Sequence, residues 1–299
     1  MTKKSLSDCL VIFLSLVIGS IIPAAAASSD IGPENGALVI VGGAMKDPVI
    51  LERFMELAGG PEVPVVIIPT AGGADHYNQN WRGLRQFKRA GFENLTLVHT
   101  YDRDQADSEE FVRPIKKARG VFFTGGRQWR LVDAYLNTLV HIELWALLER
   151  GGVIGGSSAG ATIQGSYLVR GDTKTNTIMM GDHTEGMGFI KNTGIDQHLL
   201  KRNRQFDLLE VVEAHPDLLG IGIDEDTAIV VRGDRCEVIG QGYVAIYDTS
   251  KHIPPSGQFY FLAPGDRFDL KNRQAYRPTR TYEPLDRVKP IKKSEKKKK

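Results

Sequence analysis

The chain has 299 residues, 41% of them hydrophobic, and a net charge of +2 at pH 7. It is long enough for one large domain with a full core, and its basic residues gather at one end, which argues against a cationic face for nucleic acid. Its two cysteines, Cys9 and Cys236, fall on either side of an expected cleavage region, so the body has no pair for an internal disulfide.

Residues 1–27 read as an export signal. Lys3 and Lys4 precede the apolar stretch Leu10 to Ile22, and Pro23-Ala24-Ala25-Ala26-Ala27 supplies small residues for cleavage. A stretch of thirteen residues falls short of the roughly 20 that span a bilayer, so a periplasmic or extracellular protein without a stable membrane anchor is expected. Residues 28–286 form the expected domain, and they are net acidic. Residues 287–299 end in four lysines, have little to bury, and read as a disordered tail.

Within the domain, short apolar runs alternate with amphipathic segments. The expected strands are Ala37–Val41, Val63–Ile68, Leu95–His99, Gly120–Phe123 and Val153-Ile154. The expected helices between them are Asp47–Leu57, Tyr77–Ala90, Ser108–Lys117, Gln128–Asn137 and Val140–Arg150. A further helix is expected over Ala159–Tyr167. Continuous apolar strands alternating with helices predict an α/β domain, with a mostly parallel sheet covered on both faces. After Ile223 the pattern becomes strand-like over Ala228–Arg232, Cys236–Tyr247 and Gln258–Ala263, an antiparallel finish to the same domain.

Four apolar runs end in paired glycines: Gly42-Gly43, Gly72-Gly73, Gly125-Gly126 and Gly155-Gly156. In parallel sheets ligands bind beyond the carboxyl ends of the strands, so these turns mark the expected site. Gly156-Ser157-Ser158-Ala159-Gly160 fits a strand-turn-helix presentation of a nucleophile, with Ser158 at its centre and the Ala159 amide facing a developing oxyanion. A serine nucleophile needs a base and an orienting acid. His198, in Asp196-Gln197-His198 followed by Arg202 and Arg204, is the favoured base. The two arginines suit bidentate carboxylate binding. Asp224-Glu225-Asp226 crowds three mutually repelling acids before a strand, as expected if one turns inward to a histidine. The spacing matches no calcium loop and no His-Glu-x-x-His zinc pattern, so neither metal nor cofactor is expected.

Together these motifs resemble the cyanophycinases and their relatives among the serine exopeptidases of the class I glutamine-amidotransferase-like, flavodoxin-like fold. The resemblance covers most of residues 35–250. It implies Ser158 as nucleophile, His198 as base, Glu225 as its orienter, and Gly126 and Ala159 as oxyanion donors. It also implies Gln128, Asp196, Gln197, Arg202 and Arg204 as the substrate pocket. The implied substrate is cyanophycin, a polyaspartate with arginine on each side-chain carboxyl, released as β-Asp-Arg; a homodimer is compatible with this. Two positions depart from the pattern. Arg127 stands where the family has aspartate, and Asp207 where it has a further arginine; both bear on the substrate.

Rival readings remain open at this level. An α-aspartyl dipeptidase shares the fold. A glutamine amidotransferase would need cysteine at position 158. An α/β-hydrolase esterase would place its histidine last, and only His252 follows the three acids. A binding protein with a decayed site would not be expected to keep Ser158, His198 and Glu225 together.

Overall fold

The computed structural model describes residues 29–250 and 257–280. The expected export signal, the basic tail, the boundary at 286 and His252 lie outside the described residues. In chain order the elements are β1 (Ala37–Val41), α1 (Pro48–Ala58), β2 (Val65–Ile68), α2 (Leu84–Arg89), β3 (Leu95–Leu97), α3 (Arg103–Ala106), α4 (Glu109–Lys117), β4 (Gly120–Phe123), α5 (Trp129–Tyr135) and α6 (Leu139–Glu149). They continue with β5 (Val153–Ser157), α7 (Ala159–Thr162), β6 (Gly165–Tyr167), β7 (Ile190–Gln197), α8 (Leu208–Ala214), β8 (Leu219–Ile223), β9 (Thr227–Arg232), β10 (Arg235–Gly240), β11 (Val244–Tyr247), β12 (Tyr260–Leu262), β13 (Arg267–Asp269) and β14 (Gln274–Tyr276).

Local chemistry sets the element ends. The Asp47 carboxylate accepts from the Val49 amide, proline occupies the first turn of α1, and Gly59 closes the helix in the left-handed region. Ser108 caps α4 in the same way, with Glu109 and Glu110 in its first turn and Lys116 and Lys117 in its last, each sign matching the helix dipole.

The large sheet runs β14-β13-β10-β9-β1-β5-β4-β2-β3. Strands β1 to β5 are parallel, and β9, β10, β13 and β14 continue antiparallel from β1. Alternate residues serve opposite faces. Val39, Val41, Ile67 and Phe122 pack under α1 and α2. Leu38, Ile40, Val66, Val121 and Ile154 pack against α4 to α6 and a second sheet. Both faces are buried, so the strands read as unbroken apolar runs.

The second sheet, β12-β11-β8-β7-β6, was not expected. Strands β6, β7 and β8 are parallel, and β11 and β12 pair antiparallel beyond β8. Three expected elements are corrected here. The helix over 77–90 is confined to Leu84–Arg89, because the Asn78 carboxamide accepts from the Asn80 amide in a turn and Tyr77 packs edge-on against Trp81. The helix from Ala159 stops at Thr162, since Gly165 already pairs with Ile190 in β6. The strand over 236–247 is two strands in different sheets, β10 and β11, parted by a turn at 241–243. Among the described residues no single helix is long and apolar enough to cross a membrane.

Candidate active site

Strands β1, β5, β4 and β2 are neighbours and parallel, so their glycine-bearing ends share one rim. Three successive carbonyls at the end of β1 align the site. Val41 O accepts from the Ser158 amide at 3.0 Å, Gly42 O from the His198 amide at 3.0 Å, and Gly43 O from the Asp226 amide at 2.7 Å. Segments distant in sequence are thereby registered to one stretch of backbone.

Ser158 follows β5 directly. Its backbone is strained, at φ 58° and ψ −113°, a conformation retained only where the surroundings enforce it. The turn closes tightly because a Cβ on Gly160 would stand 2.2 Å from the Phe123 carbonyl oxygen. Ser158 Oγ lies 2.9 Å from His198 Nε2, and His198 Nδ1 lies 2.7 Å from Glu225 Oε1. A carboxylate only accepts, so the imidazole proton sits on Nδ1 and donates to Glu225. Nε2 is left to accept from the serine hydroxyl.

His198 follows β7 directly and also has a positive φ, 55°. Its ring lies on Gly43, where a Cβ would stand 2.4 Å from Cε1. Burial lowers its pKa below the ordinary histidine value. Glu225 opposes that shift, and the charges of Arg202 and Arg204 reinforce it. The free imidazole is therefore neutral, and able to accept a proton, at pH 7.

The three crowded acids are separated by giving each its own donors. Asp224 Oδ1 accepts from the Leu200 and Lys201 amides at 3.0 and 2.9 Å, beside the histidine. Asp226 Oδ1 accepts from the Lys46 and Asp47 amides, both at 2.7 Å, beside Gly43. Only Glu225 turns to His198. The clamping roles of Asp224 and Asp226 were not read from the sequence.

Gly126, at φ 150°, follows β4 in a turn held by the Arg127 amide on Ala71 O at 2.8 Å. Among the described residues neither the Gly126 nor the Ala159 amide has a hydrogen-bond acceptor. The Gly125 and Ser158 turns are in contact, a Cβ on Gly125 falling 3.7 Å from Ser158 Oγ.

The expected pocket residues divide into two groups. Arg202 and Arg204 line a cavity of about 580 Å³ with Phe206, Asp207 and Glu210; Thr177 and Met179 form another wall. Arg202 is exposed, while Arg204 is buried and donates to the Gln197 backbone and side-chain oxygens at 3.2 and 3.3 Å. Gln128, Asp196 and Gln197 lie beneath the cavity instead of lining it. The Gln128 amide donates to the Val169 and Arg170 carbonyls, both at 2.8 Å. Asp196 is fully buried, with both oxygens held by Arg170 at 2.8 and 2.9 Å.

Arg170 is the main residue that the sequence reading missed. It is 2% exposed, and besides Asp196 it donates to Asn176 O at 2.9 Å and to Asp207 Oδ2 at 2.5 Å. Asp207, one of the two departures, is thus an ion-pair partner. The other departure, Arg127, donates to the Asp172 and Thr175 carbonyls at 2.6 and 2.7 Å. Both fasten the segment from 170 to 176. The one signal in the sequence was a cation closing the run Leu168-Val169.

The family model for peptidase family S51 matches residues 38–239. A cyanophycinase from Nostoc sp. is 34% identical over 79% of this chain and 86% of its own length. A cyanophycinase from Geminocystis herdmanii is also 34% identical, over 80% of this chain and 96% of its own. The crystal structure of a peptidase from an acI-B1 Actinobacterium superposes with a TM-score of 0.59 at 26% identity, covering 79% of this chain and 97% of that one. A putative peptidase E protein from Listeria monocytogenes, 16% identical with a TM-score of 0.51 over 69% of this chain and 99% of its own, shares the fold. With a family match across most of the domain and relatives aligned over nearly their full length, the chain belongs to peptidase family S51 and is a serine-type peptidase.

Proposed function

We propose that this protein is an exported exopeptidase that hydrolyses β-aspartyl-arginine polymer, cyanophycin, to β-Asp-Arg dipeptides through an acyl-enzyme on Ser158. The observation that carries the reading is the continuous chain from Ser158 Oγ through His198 to Glu225, at 2.9 and 2.7 Å, in a chain whose curated relatives are cyanophycinases.

In the first half-reaction His198 Nε2 takes the hydroxyl proton as Ser158 Oγ attacks the scissile carbonyl. Glu225 stabilises the imidazolium that forms, and the Gly126 and Ala159 amides face the oxyanion. His198 then protonates the departing amine. In the second half-reaction it takes a proton from water, which attacks the acyl-enzyme and frees Ser158. Arg202 and Arg204 hold the free carboxylates of the substrate, the arginyl α-carboxylates and the α-carboxylate of a terminal aspartyl unit. Gln128, Asp196 and Gln197 act beneath them, by fixing Arg204 and the backbone at 169–170. Residues 1–27 direct the chain out of the cytoplasm, where it meets polymer from outside.

The deciding experiment gives purified protein cyanophycin and, separately, Asp-X dipeptides, and identifies products by mass spectrometry. The expected result is β-Asp-Arg from cyanophycin. Cleavage of Asp-X dipeptides alone would replace this reading with an α-aspartyl dipeptidase. Inactivity on both, with hydrolysis of simple esters, would overturn it.

A further inference from the structure

The cavity beside the serine–histidine pair carries opposite charges on one short stretch of chain. Arg202 and Arg204 stand at the histidine end; the Arg202 amide donates to His198 O, and both charges act on the imidazole. One turn later come Asp207, which precedes α8, and Glu210, in the first turn of that helix. The Arg204 carbonyl accepts from the Asp207 amide at 3.0 Å, so a single turn separates the two signs.

Arg170 does not cancel the acidic end. It is buried, and its guanidinium is already paired by both oxygens of Asp196. Of its two other bonds, one goes to the Asn176 carbonyl and the second fixes only one oxygen of Asp207. Asp207 Oδ1 has no hydrogen-bond partner among the described residues, and neither does the exposed side chain of Glu210. Phe206, which also lines the cavity, is 57% exposed, and its ring rests against Phe259 with centroids 5.7 Å apart. A planar cation stacks on such a face while carboxylates accept from its edge.

We propose that this cavity is a subsite for the arginyl side chain of the substrate, with Asp207 and Glu210 accepting from the guanidinium, Phe206 covering its plane, and Arg202 and Arg204 taking the free α-carboxylate of the same unit. The ligand class is a zwitterionic peptide unit, carboxylate at one end and guanidinium at the other. Arg170 is a positioning residue that holds the Asp207 carboxylate against the wall. This inference rests on the β-aspartyl peptidase reading.

The test compares two synthetic oligomers with an aspartyl backbone, one carrying arginine on each β-carboxyl and the other citrulline, the neutral isostere. Charge-assisted hydrogen bonds contribute about 1.5–3 kcal/mol each, so the wild-type protein should prefer arginine by about 10- to 100-fold in kcat/KM. Glu210→Gln should cut that ratio several-fold, and Asp207→Asn with Glu210→Gln should bring it close to one. Because Asp207→Asn also unpairs Arg170, the single Glu210→Gln variant keeps the test independent of folding. Equal wild-type rates on the two oligomers would overturn the guanidinium subsite and leave the peptidase reading intact. An arginine preference unchanged in Glu210→Gln and in the double variant would also overturn it. Inactivity on both oligomers would overturn the two readings together.

Discussion

At the residue scale, the site turns on two atoms, Ser158 Oγ and His198 Nε2. Ser158→Ala should lower kcat by several orders of magnitude with the thermal unfolding curve unchanged, because the proposed acyl-enzyme could not form. Ser157→Ala should have a far smaller effect, since Ser157 is the last residue of β5 and takes no part in the bonds to His198. Steady-state kinetics of the two variants checks the register of the turn. The base makes a separate prediction. In its proposed role as base His198 must be neutral, and burial together with Arg202 and Arg204 lowers its pKa. The acid limb of kcat/KM should therefore fall below the ordinary histidine value. Arg202→Ala removes one lowering charge, so the limb should move to higher pH, whatever the accompanying loss in substrate capture. A limb that stayed in place or moved down would contradict this account of the imidazole.

At the element scale, the end of β1 acts as the alignment edge, and its glycines make room for the imidazole. Gly43 has φ +146°, and a Cβ there would overlap the His198 ring at 2.4 Å from Cε1 and 2.5 Å from Nδ1. Gly43→Ala should displace the ring from both Ser158 and Glu225. A misplacement near 1 Å costs on the order of 100-fold in rate, so kcat should fall by about that factor with KM changing much less. Stopped-flow or steady-state kinetics separates the two constants. The paired-glycine turns were legible in the sequence, because parallel strands put their carboxyl ends together whatever the strand order. The particular partner of each glycine was not, because His198 reaches Gly43 only through the placement of β7 in the second sheet. That sheet was itself hidden. Strand β7 reads Ile-Lys-Asn-Thr-Gly-Ile-Asp-Gln, and its buried polar end is satisfied by tertiary partners instead of by water, Asp196 by Arg170 and Gln197 by Arg204.

At the scale of the whole molecule, Arg170 joins the chain beyond β6 to the end of β7 and the start of α8. It and Asp196 are 2% and 0% exposed, so removing one partner strands a buried charge. Arg170→Met should cost about 3–5 kcal/mol of stability. In a domain of this size that corresponds to a fall in Tm of roughly 6–20 °C, measurable by calorimetry. A shift within a degree of wild type would mean that Asp196 finds other donors.

The sequence by itself determined the parallel sheet, the rim of glycine turns, and Ser158 and His198 as the candidate nucleophile and base. Apolar runs buried on two faces, glycine turns and a serine centred between glycines are local signals, each written over a few adjacent residues. Only the tertiary structure decided which of Asp224, Glu225 and Asp226 meets the histidine, since all three are the same chemistry until backbone amides from distant segments claim two of them. It likewise decided that Asp196 serves Arg170, and that Asp207 is held by a cation 37 residues earlier. An ion pair has no sequence period, and its two members become partners only when the fold removes them from water together.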